Sequence, residues 1–466
     1  MRIQFLGATK QVTGSRYFIE LGDLRLLVDC GMYQERAHLG RNWEPSPVPP
    51  NHLDYVLLTH AHVDHCGLIP KLVRDGFHGK VLSTAATRDL AEIVLKDSAH
   101  VQAEDVLFKQ KRHGREGRKG PFPLVPLFNP ADVEHALQRF DSVPYDRPTR
   151  LAENVAVTFH DAGHILGSSM LEITARANGD SRTIIFSGDI GEWNKPIIRD
   201  PTLFSRADYV VMESTYGDRE HDGIERVEEQ LAEAINSTVA RGGNIVIPTF
   251  AIERAQELMF YISRLVRQDR IPHLMVFLDS PMAVDVTEVF RRHEDCMDEE
   301  TVKMLESGEP PCRFPGLRLV RETSESKAIN RIKGSCIILA GSGMCTAGRI
   351  KHHLVNNISH RESTILFAGY QAVGTLGRLI VDGNKKVRIH GAQHQVKARV
   401  AQIHGLSGHA GQKSLLRWIG GFQNPPRRVF VTHGDEDAST HLADMIRAQH
   451  GWPVDVPGYR DEHQLA

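Results

Sequence analysis

Four metal-type donors fall within six positions in Thr59-His60-Ala61-His62-Val63-Asp64-His65-Cys66-Gly67, directly after the apolar stretch Tyr55–Leu58. Imidazoles and carboxylates at this density suit zinc or a similar divalent ion. An extended segment points residues two apart to one side, so His60 and His62 can share one ion. Asp64 and His65, one turn further on, can face a neighbouring ion. A lone histidine in such a place is ordinarily a core or solvated residue, but four clustered donors reverse that reading. With His164, Asp189 and His409 added, the donors exceed what one tetrahedral ion takes, and two ions are expected. Cys66, beside the run, reads as a buried structural thiol.

The elements that must position these donors are short strands. Tyr17–Glu20, Leu24–Asp29, Tyr55–Leu58, Val155–Phe159, Met170–Thr174 and Thr183–Ser187 carry strand composition, with a helical stretch from about Arg88 to Gln110. His60, His164 and Asp189 each follow one of these strands, where a rigid sheet can hold loops together. From about Ala207 the chain alternates strand and helix: Tyr209–Met212, Ile224–Val239, Asn244–Ile247, Glu253–Val266, Leu274–Leu278, Cys336–Leu339, Thr364–Ala368. This pattern predicts a parallel, doubly wound sheet and a second domain, with Asp295–Glu325 as a surface excursion. If His409 is a ligand, the tail returns to the first domain and the second is an insertion. The expected division is 1–206, 207–394 and 395–466.

Bulk composition narrows the class. A chain of 466 residues with 41% hydrophobic and 24% charged positions is a globular protein of two or three domains. No apolar run reaches the roughly 18 residues of a membrane helix. Met1–Gly7 reads as a first strand, not a leader, so a cytoplasmic protein without membrane contact is expected. Six cysteines without C-x-x-C spacing argue against a disulfide framework or a thiolate zinc site. With 56 basic against 58 acidic residues, a nucleic-acid partner requires a local basic surface. One candidate is the run Lys109–Lys119, six basic residues against one acid, readable as a solvated loop or a backbone clamp.

The run His60-Ala61-His62-Val63-Asp64-His65 resembles the H-x-H-x-D-H core of the metallo-β-lactamase superfamily. The likeness extends to the β-CASP nucleases, which include bacterial and archaeal RNA-processing nucleases and the endonuclease subunit of eukaryotic pre-mRNA 3′-end cleavage. Their strand-end aspartate looks like Asp29, their third metal motif like Asp161–Ser168 with His164, and their bridging aspartate like Asp189. The acidic motif opening the inserted domain resembles Glu213 in Met212–Gly217, and the final histidine motif resembles Leu406-Ser407-Gly408-His409. Ile247–Glu257 and Ala340–Met344 are similar to the insert. The chain reads as the compact prokaryotic form. One departure stands out: in the eukaryotic subgroup a histidine follows the Gly-Thr-Leu segment, where this chain has Leu379.

The resemblance implies an αββα sandwich with an inserted, parallel, Rossmann-like β-CASP domain. It implies two Zn2+ ions, with Mn2+ as the alternative: His60, His62 and His164 on one, Asp64, His65 and His409 on the other, and Asp189 bridging. Asp64 can also take a proton from the attacking water. Asp29 is expected to orient the ligand loop, and Glu213 to stand behind His409 or His164. With Leu379 at the usual histidine position, His433 is the first candidate for the leaving-group acid, ahead of His390, His394 and His404. Ser407 and Gly408 are expected to grip phosphate, as are Ser342 and Gly343 after the strand Cys336–Leu339, and Arg378. The paired His352-His353 reads as a surface feature.

These readings converge on a zinc-dependent ribonuclease acting on single-stranded RNA, as endonuclease, exonuclease or both. Competing expectations are hydrolysis of a small molecule, a DNA nuclease using single-stranded DNA, and a non-catalytic RNA-binding scaffold. Association into a homodimer is left open.

Overall fold

Polar and apolar residues alternate along Arg2–Phe5 (β1), so that Ile3 and Phe5 are fully buried while Arg2 and Gln4 are not. This strand opens the first sheet of the protein. The computed structural model describes residues 1–116, 120–177, 180–220 and 223–465. Strands β2 (Tyr17–Leu21) and β3 (Leu24–Val28) follow as a hairpin, and the first sheet continues through β4 (Tyr55–Leu57), β5 (Lys80–Ser83) and β6 (Phe140–Ser142) in parallel. A second sheet starts with the meander β7 (Thr149–Ala152), β8 (Val155–Asp161), β9 (Ser169–Ala177) and β10 (Asp180–Phe186), and gains β11 (Tyr209–Glu213) parallel to β10.

The chain then builds a separate unit: β12 (Ile245–Pro248), β13 (Met275–Asp279), β14 (Leu317–Leu319), β15 (Cys336–Ala340), β16 (Thr364–Ala368), the ribbon β17 (Lys386–Ile389) and β18 (Ala392–Gln395), and β19 (Arg399–Ile403). Six of these form an all-parallel sheet in the order β14-β13-β15-β12-β16-β19. Every residue of β12, β15 and β16 is buried, as expected for parallel strands covered on both faces.

The remainder, β20 (Arg428–Thr432), β21 (Val454–Asp455) and β22 (Glu462–Gln464), completes the first unit. β20 lies parallel beside β11, and β22 antiparallel beside β1. The two seven-stranded sheets face each other across a core in which Phe5 meets Phe430 at 5.1 Å and Tyr17 meets Phe186 at 5.7 Å. Behind the second sheet, Met170, Ile185, Met212 and Val431 pack against Leu415 and Trp418 of the helix Gln412–Ile419 and against Leu442 and Ile446 of the helix Glu436–His450. The helix Ala85–Glu116 packs on β6 at the first sheet. This is the expected sandwich with an insertion.

Several boundaries differ from the sequence reading. One unit comprises Met1–Trp193, Asp200–Glu220 and His409–Ala466, and the other Asn194–Arg199 and His221–Gly408. Strand β11, read from the sequence as the start of the insert, instead lies inside the second sheet, between β10 and β20. Strand-helix alternation is a local signal and does not say which sheet receives a strand. The supposed excursion Asp295–Glu325 carries the helix Glu299–Glu306 and the edge strand β14. His353, read as a surface residue, is fully buried, and its Nε2–H donates to Asp279 Oδ2 at 2.6 Å. The basic run continues the helix to Glu116, with Lys109 paired to Asp105, while its positions 117–119 lie outside the described residues. All six cysteines are buried thiols outside any disulfide, and among the described residues no helix is long and apolar enough to cross a membrane.

Candidate metal centre

Strand β4 delivers Leu58 and Thr59 to the sheet's edge, and His62 then stands at the N-terminus of the one-turn helix Val63–Cys66. The helix turns Asp64 and His65 back toward the same spot that His60 reaches from the extended segment. Glycine is required where the next loop crosses this turn. A Cβ on Gly31 would come within 1.6 Å of the Asp64 carbonyl oxygen, which accepts from Ser15 N. Likewise a Cβ on Gly191 would strike the Gly163 carbonyl oxygen at 1.6 Å, so the loops bearing His164 and Asp189 pass in contact.

Two donor sets result. His60 Nε2 and His164 Nε2 both face His62 Nδ1, at 3.0 and 3.2 Å, and Asp189 Oδ2 stands 3.4 Å from His60 Nε2 and 3.6 Å from His164 Nε2. Asp189 Oδ1 faces the second set, 3.2 Å from His65 Nε2 and 3.5 Å from His433 Nε2. Within that set the two Nε2 atoms are 3.0 Å apart, and Asp64 Oδ2 lies 3.6 Å from His433 Nε2. Ligands of one tetrahedral zinc, bonded at about 2.0–2.1 Å, are separated by roughly 3.3 Å. The donor spacings bracket that value. Ring protons cannot satisfy three converging nitrogens, and Asp189 Oδ1 is buried without a hydrogen-bond partner. Buried polar atoms of this kind call for a cation. The residues therefore fit divalent metal binding.

The sequence reading placed His409 beside Asp64 and His65, and here the structure differs. His433 occupies that position. His409 Nδ1–H instead donates to Glu213 Oε1 at 3.2 Å, and its ring lies 4.7 Å from that of His164 and 3.8 Å from Asp189 Oδ2. The cause is β20, whose register against β11 pairs Thr432 with Glu213 and carries the next residue into the site, with His433 at φ +50°. His433 follows a strand just as His60, His164 and Asp189 do. That was the signal available for it.

Behind the donors, buried partners hold the rings of His60, His65 and His409. Asp29, at φ +58°, accepts from Thr59 N at 2.8 Å, from Thr59 Oγ1 at 2.9 Å and from His65 Nδ1–H at 2.7 Å. With its hydroxyl proton committed to Asp29, Thr59 Oγ1 accepts from His60 Nδ1–H at 3.0 Å. Both links leave the Nε2 lone pairs of His60 and His65 pointing at the site. Glu213 accepts from Ile190 N at 2.6 Å and from Thr215 N at 3.2 Å, anchoring the loop of Asp189 as well as His409.

Burial, with the neighbouring His65 adding to it, lowers His60 to about 3, and burial lowers His62 to about 4 and His164 well below its ordinary value. All three are neutral, as ligands must be. Burial alone would raise the Asp64 and Asp189 carboxyls, but the surrounding imidazoles, His433 foremost, hold both low. Burial also opposes a charge on His409, yet the Glu213 and Asp189 carboxylates raise it to about 9. The Cys66 thiol is pushed up by burial, and it donates to Ala61 O at 3.5 Å.

The expected substrate contacts lie in the other unit. Ser342 Oγ accepts from Thr346 N and Ala347 N at 3.1 and 3.2 Å, closing a turn with Gly343 inside it. Arg378 Nε pairs with Asp382 at 2.8 Å, and Leu379 is 44% exposed. Ser407 and Gly408 are half-buried in the loop that ends the unit, and the remaining acid candidates His390, His394 and His404 belong to this unit too, not to the donor sets.

Comparison with known proteins agrees with this architecture. Residues 11–149 match the metallo-beta-lactamase superfamily, 255–380 the Beta-Casp domain, and 393–457 the Zn-dependent metallo-hydrolase RNA specificity domain. Ribonuclease TTHA0252 of Thermus thermophilus is 39% identical over 446 residues, 96% of each chain. Transcription termination factor FttA of Methanosarcina mazei is 30% identical, over 96% of this chain and 69% of its own. An RNase J-like protein of Methanocaldococcus jannaschii is 27% identical over 98% of this chain and 97% of its own. A crystal structure of a protein of unknown function from Enterococcus faecalis V583 shares the fold over 99% of both chains, with TM-score 0.57 at 12% identity.

Proposed function

The chain belongs to the metallo-β-lactamase superfamily, in its Beta-Casp group, and from that premise we propose that it is a two-metal phosphodiesterase that hydrolyses single-stranded RNA. The observation that carries this reading is Asp189, one buried carboxylate whose two oxygens each face a separate set of imidazoles. In this reading His60, His62 and His164 hold one ion, Asp64, His65 and His433 hold the other, and Asp189 serves both. Zinc suits the donors, with manganese as the alternative. Bound there, the ions supply hydroxide near neutral pH and offset charge developing on phosphate.

The protein groups do the rest. Asp29 and Thr59 fix the tautomers of His65 and His60, so the rings need no reorganisation. Asp64, with its side chain 18% exposed, accepts the proton of the attacking water. The leaving ribose oxygen takes its proton from His409 Nε2, while Glu213 holds Nδ1. The His409 side chain is 21% exposed against 3% for His433, which is why the acid role assigned from the sequence to His433 passes to His409. Six buried thiols outside any disulfide suit a reducing compartment, and we assign the activity to the cytoplasm.

The test is incubation of purified protein with 5′- and 3′-labelled RNA and DNA oligonucleotides, with and without chelator. Cleavage of RNA that stops on complete metal removal is expected, and the fragment ladder reads endonucleolytic or exonucleolytic mode. Preference for DNA, or undiminished cleavage without metal, overturns the reading.

A further inference from the structure

Between Gly383 and Gly434 the chain contains no Asp or Glu, in a protein with 58 acidic residues against 56 basic ones. The inserted unit's share of this window includes the ribbon β17–β18. Along β17, Lys386 and Arg388 are exposed while Val387 and Ile389 point inward. The register sets Gln395 opposite Lys386 and Gln393 opposite Arg388, and residues directly opposite share a face. All four are exposed, so one face of the ribbon is made of cations and amides.

At the tip, His390 stacks on His352 with ring centroids 4.5 Å apart and planes at 29°. Lys385 and Lys397 flank the strands, exposed. Among the described residues, none of Lys351, Lys385, Lys386, Arg388 or Lys397 has a carboxylate within ion-pair distance. Elsewhere the pattern differs: Lys96, Arg270 and Arg399 each meet a glutamate. Burial first, and then the neighbouring His352, Lys351 and His394, lower the His390 imidazole from its ordinary value.

We propose that this face of the ribbon, with Lys351 and the His352–His390 stack at its tip, is a docking surface for the phosphodiester backbone of RNA. Unpaired cations on an open strand ribbon match a polyanion. Exposed glutamine amides can donate to phosphate and sugar oxygens, and flat stacked imidazoles suit an unpaired base. The face lacks the apolar centre that a protein partner would need. The inference rests on the RNA reading above, and it assigns to the insert a grip on the strand independent of the metal centre.

The test measures binding of a fluorescent single-stranded RNA, in chelator, as a function of salt, for wild type and for the triple variant Lys385→Glu/Lys386→Glu/Lys397→Glu. Each phosphate neutralised on a single strand contributes about 0.7 to the slope of log Kd against log salt. Removing three lysines therefore makes that slope shallower by about 2, and Kd at 0.1 M salt rises at least about tenfold. Hydrolysis of bis(p-nitrophenyl) phosphate by the metal-loaded variant stays at the wild-type rate. The Lys→Gln triple, which adds no repulsion, flattens the slope likewise and guards against misfolding.

Unchanged Kd and slope in both triples overturn the proposal. So does equal weakening by Lys327→Glu/Lys333→Glu, which would make the effect one of net charge. A changed oligomeric state in the triples would instead mark an interface between copies and also overturn it. If wild type binds RNA with this salt signature but does not cut it, the catalytic reading fails and the docking surface stands.

Discussion

The Nε2 atoms of His65 and His433, 368 residues apart in the chain, face each other at 3.0 Å. With the His65 proton held on Nδ1 by Asp29, its Nε2 presents a lone pair, and Asp189 Oδ1 lies within 3.5 Å of both Nε2 atoms. On the proposed reading His433 is a ligand and His409 the proton donor, and the two roles separate in experiment. A His433→Ala variant is expected to bind about one ion fewer by elemental analysis while staying folded. His409→Ala should retain both ions and lose about 10²- to 10⁴-fold in kcat on RNA, the usual range for a lost general acid. The reverse pattern would return His409 to the ligand set.

Asp29 adopts φ +58°, which Asn tolerates as well as Asp, so Asp29→Asn should fold normally. It removes the charge that orients His65 Nδ1–H and Thr59. Zinc affinity measured by competition with a chromophoric chelator should fall about 10- to 100-fold. Wild-type affinity would mean that Asp29 is only a turn residue.

His160 offers a pH readout remote from the donors. Burial lowers its pKa, but the bonds of its ring to Glu172 Oε2 at 3.0 Å and Asp146 Oδ1 at 2.7 Å outweigh that and raise it above 6.5. A raised folded pKa means stability that is fully present below the unfolded value and lost as pH rises through the folded one. Urea denaturation of wild type against His160→Gln should therefore show the larger difference below pH 6.5, shrinking as pH rises past the folded pKa. A difference that is flat across that window would deny the protonated pair.

In the inserted unit, Glu257 is fully buried, with Lys195 Nζ at 3.0 Å from one carboxylate oxygen and Arg254 Nε at 2.9 Å from the other. Both cations hold its carboxyl below the ordinary range although burial acts the other way. Glu257→Gln removes a negative charge that faces two positive ones, and breaking a buried pair in this way costs about 3–5 kcal/mol. Chemical denaturation should register a loss of that order. A loss under about 1 kcal/mol would show that the site is hydrated.

By itself the sequence determined that the chain is a metal-dependent hydrolase, and it pointed to the loops that carry most of the candidate donors. A run such as His60–His65 is written locally, because strand and helix periodicities decide which neighbours share a side, and His164 and Asp189 announce themselves by following apolar strands. The sandwich and its parallel insert were legible for the same reason. Tertiary structure alone decided what depends on distant strands meeting. β11 belongs to the second sheet because β10 and β20 flank it, and the pairing of Glu213 with Thr432 sends His433, not His409, to Asp64 and His65. His353 is buried because Asp279 at the end of β13 accepts its proton. Register between strands hundreds of residues apart is set by side-chain packing across the core, which local sequence patterns do not encode.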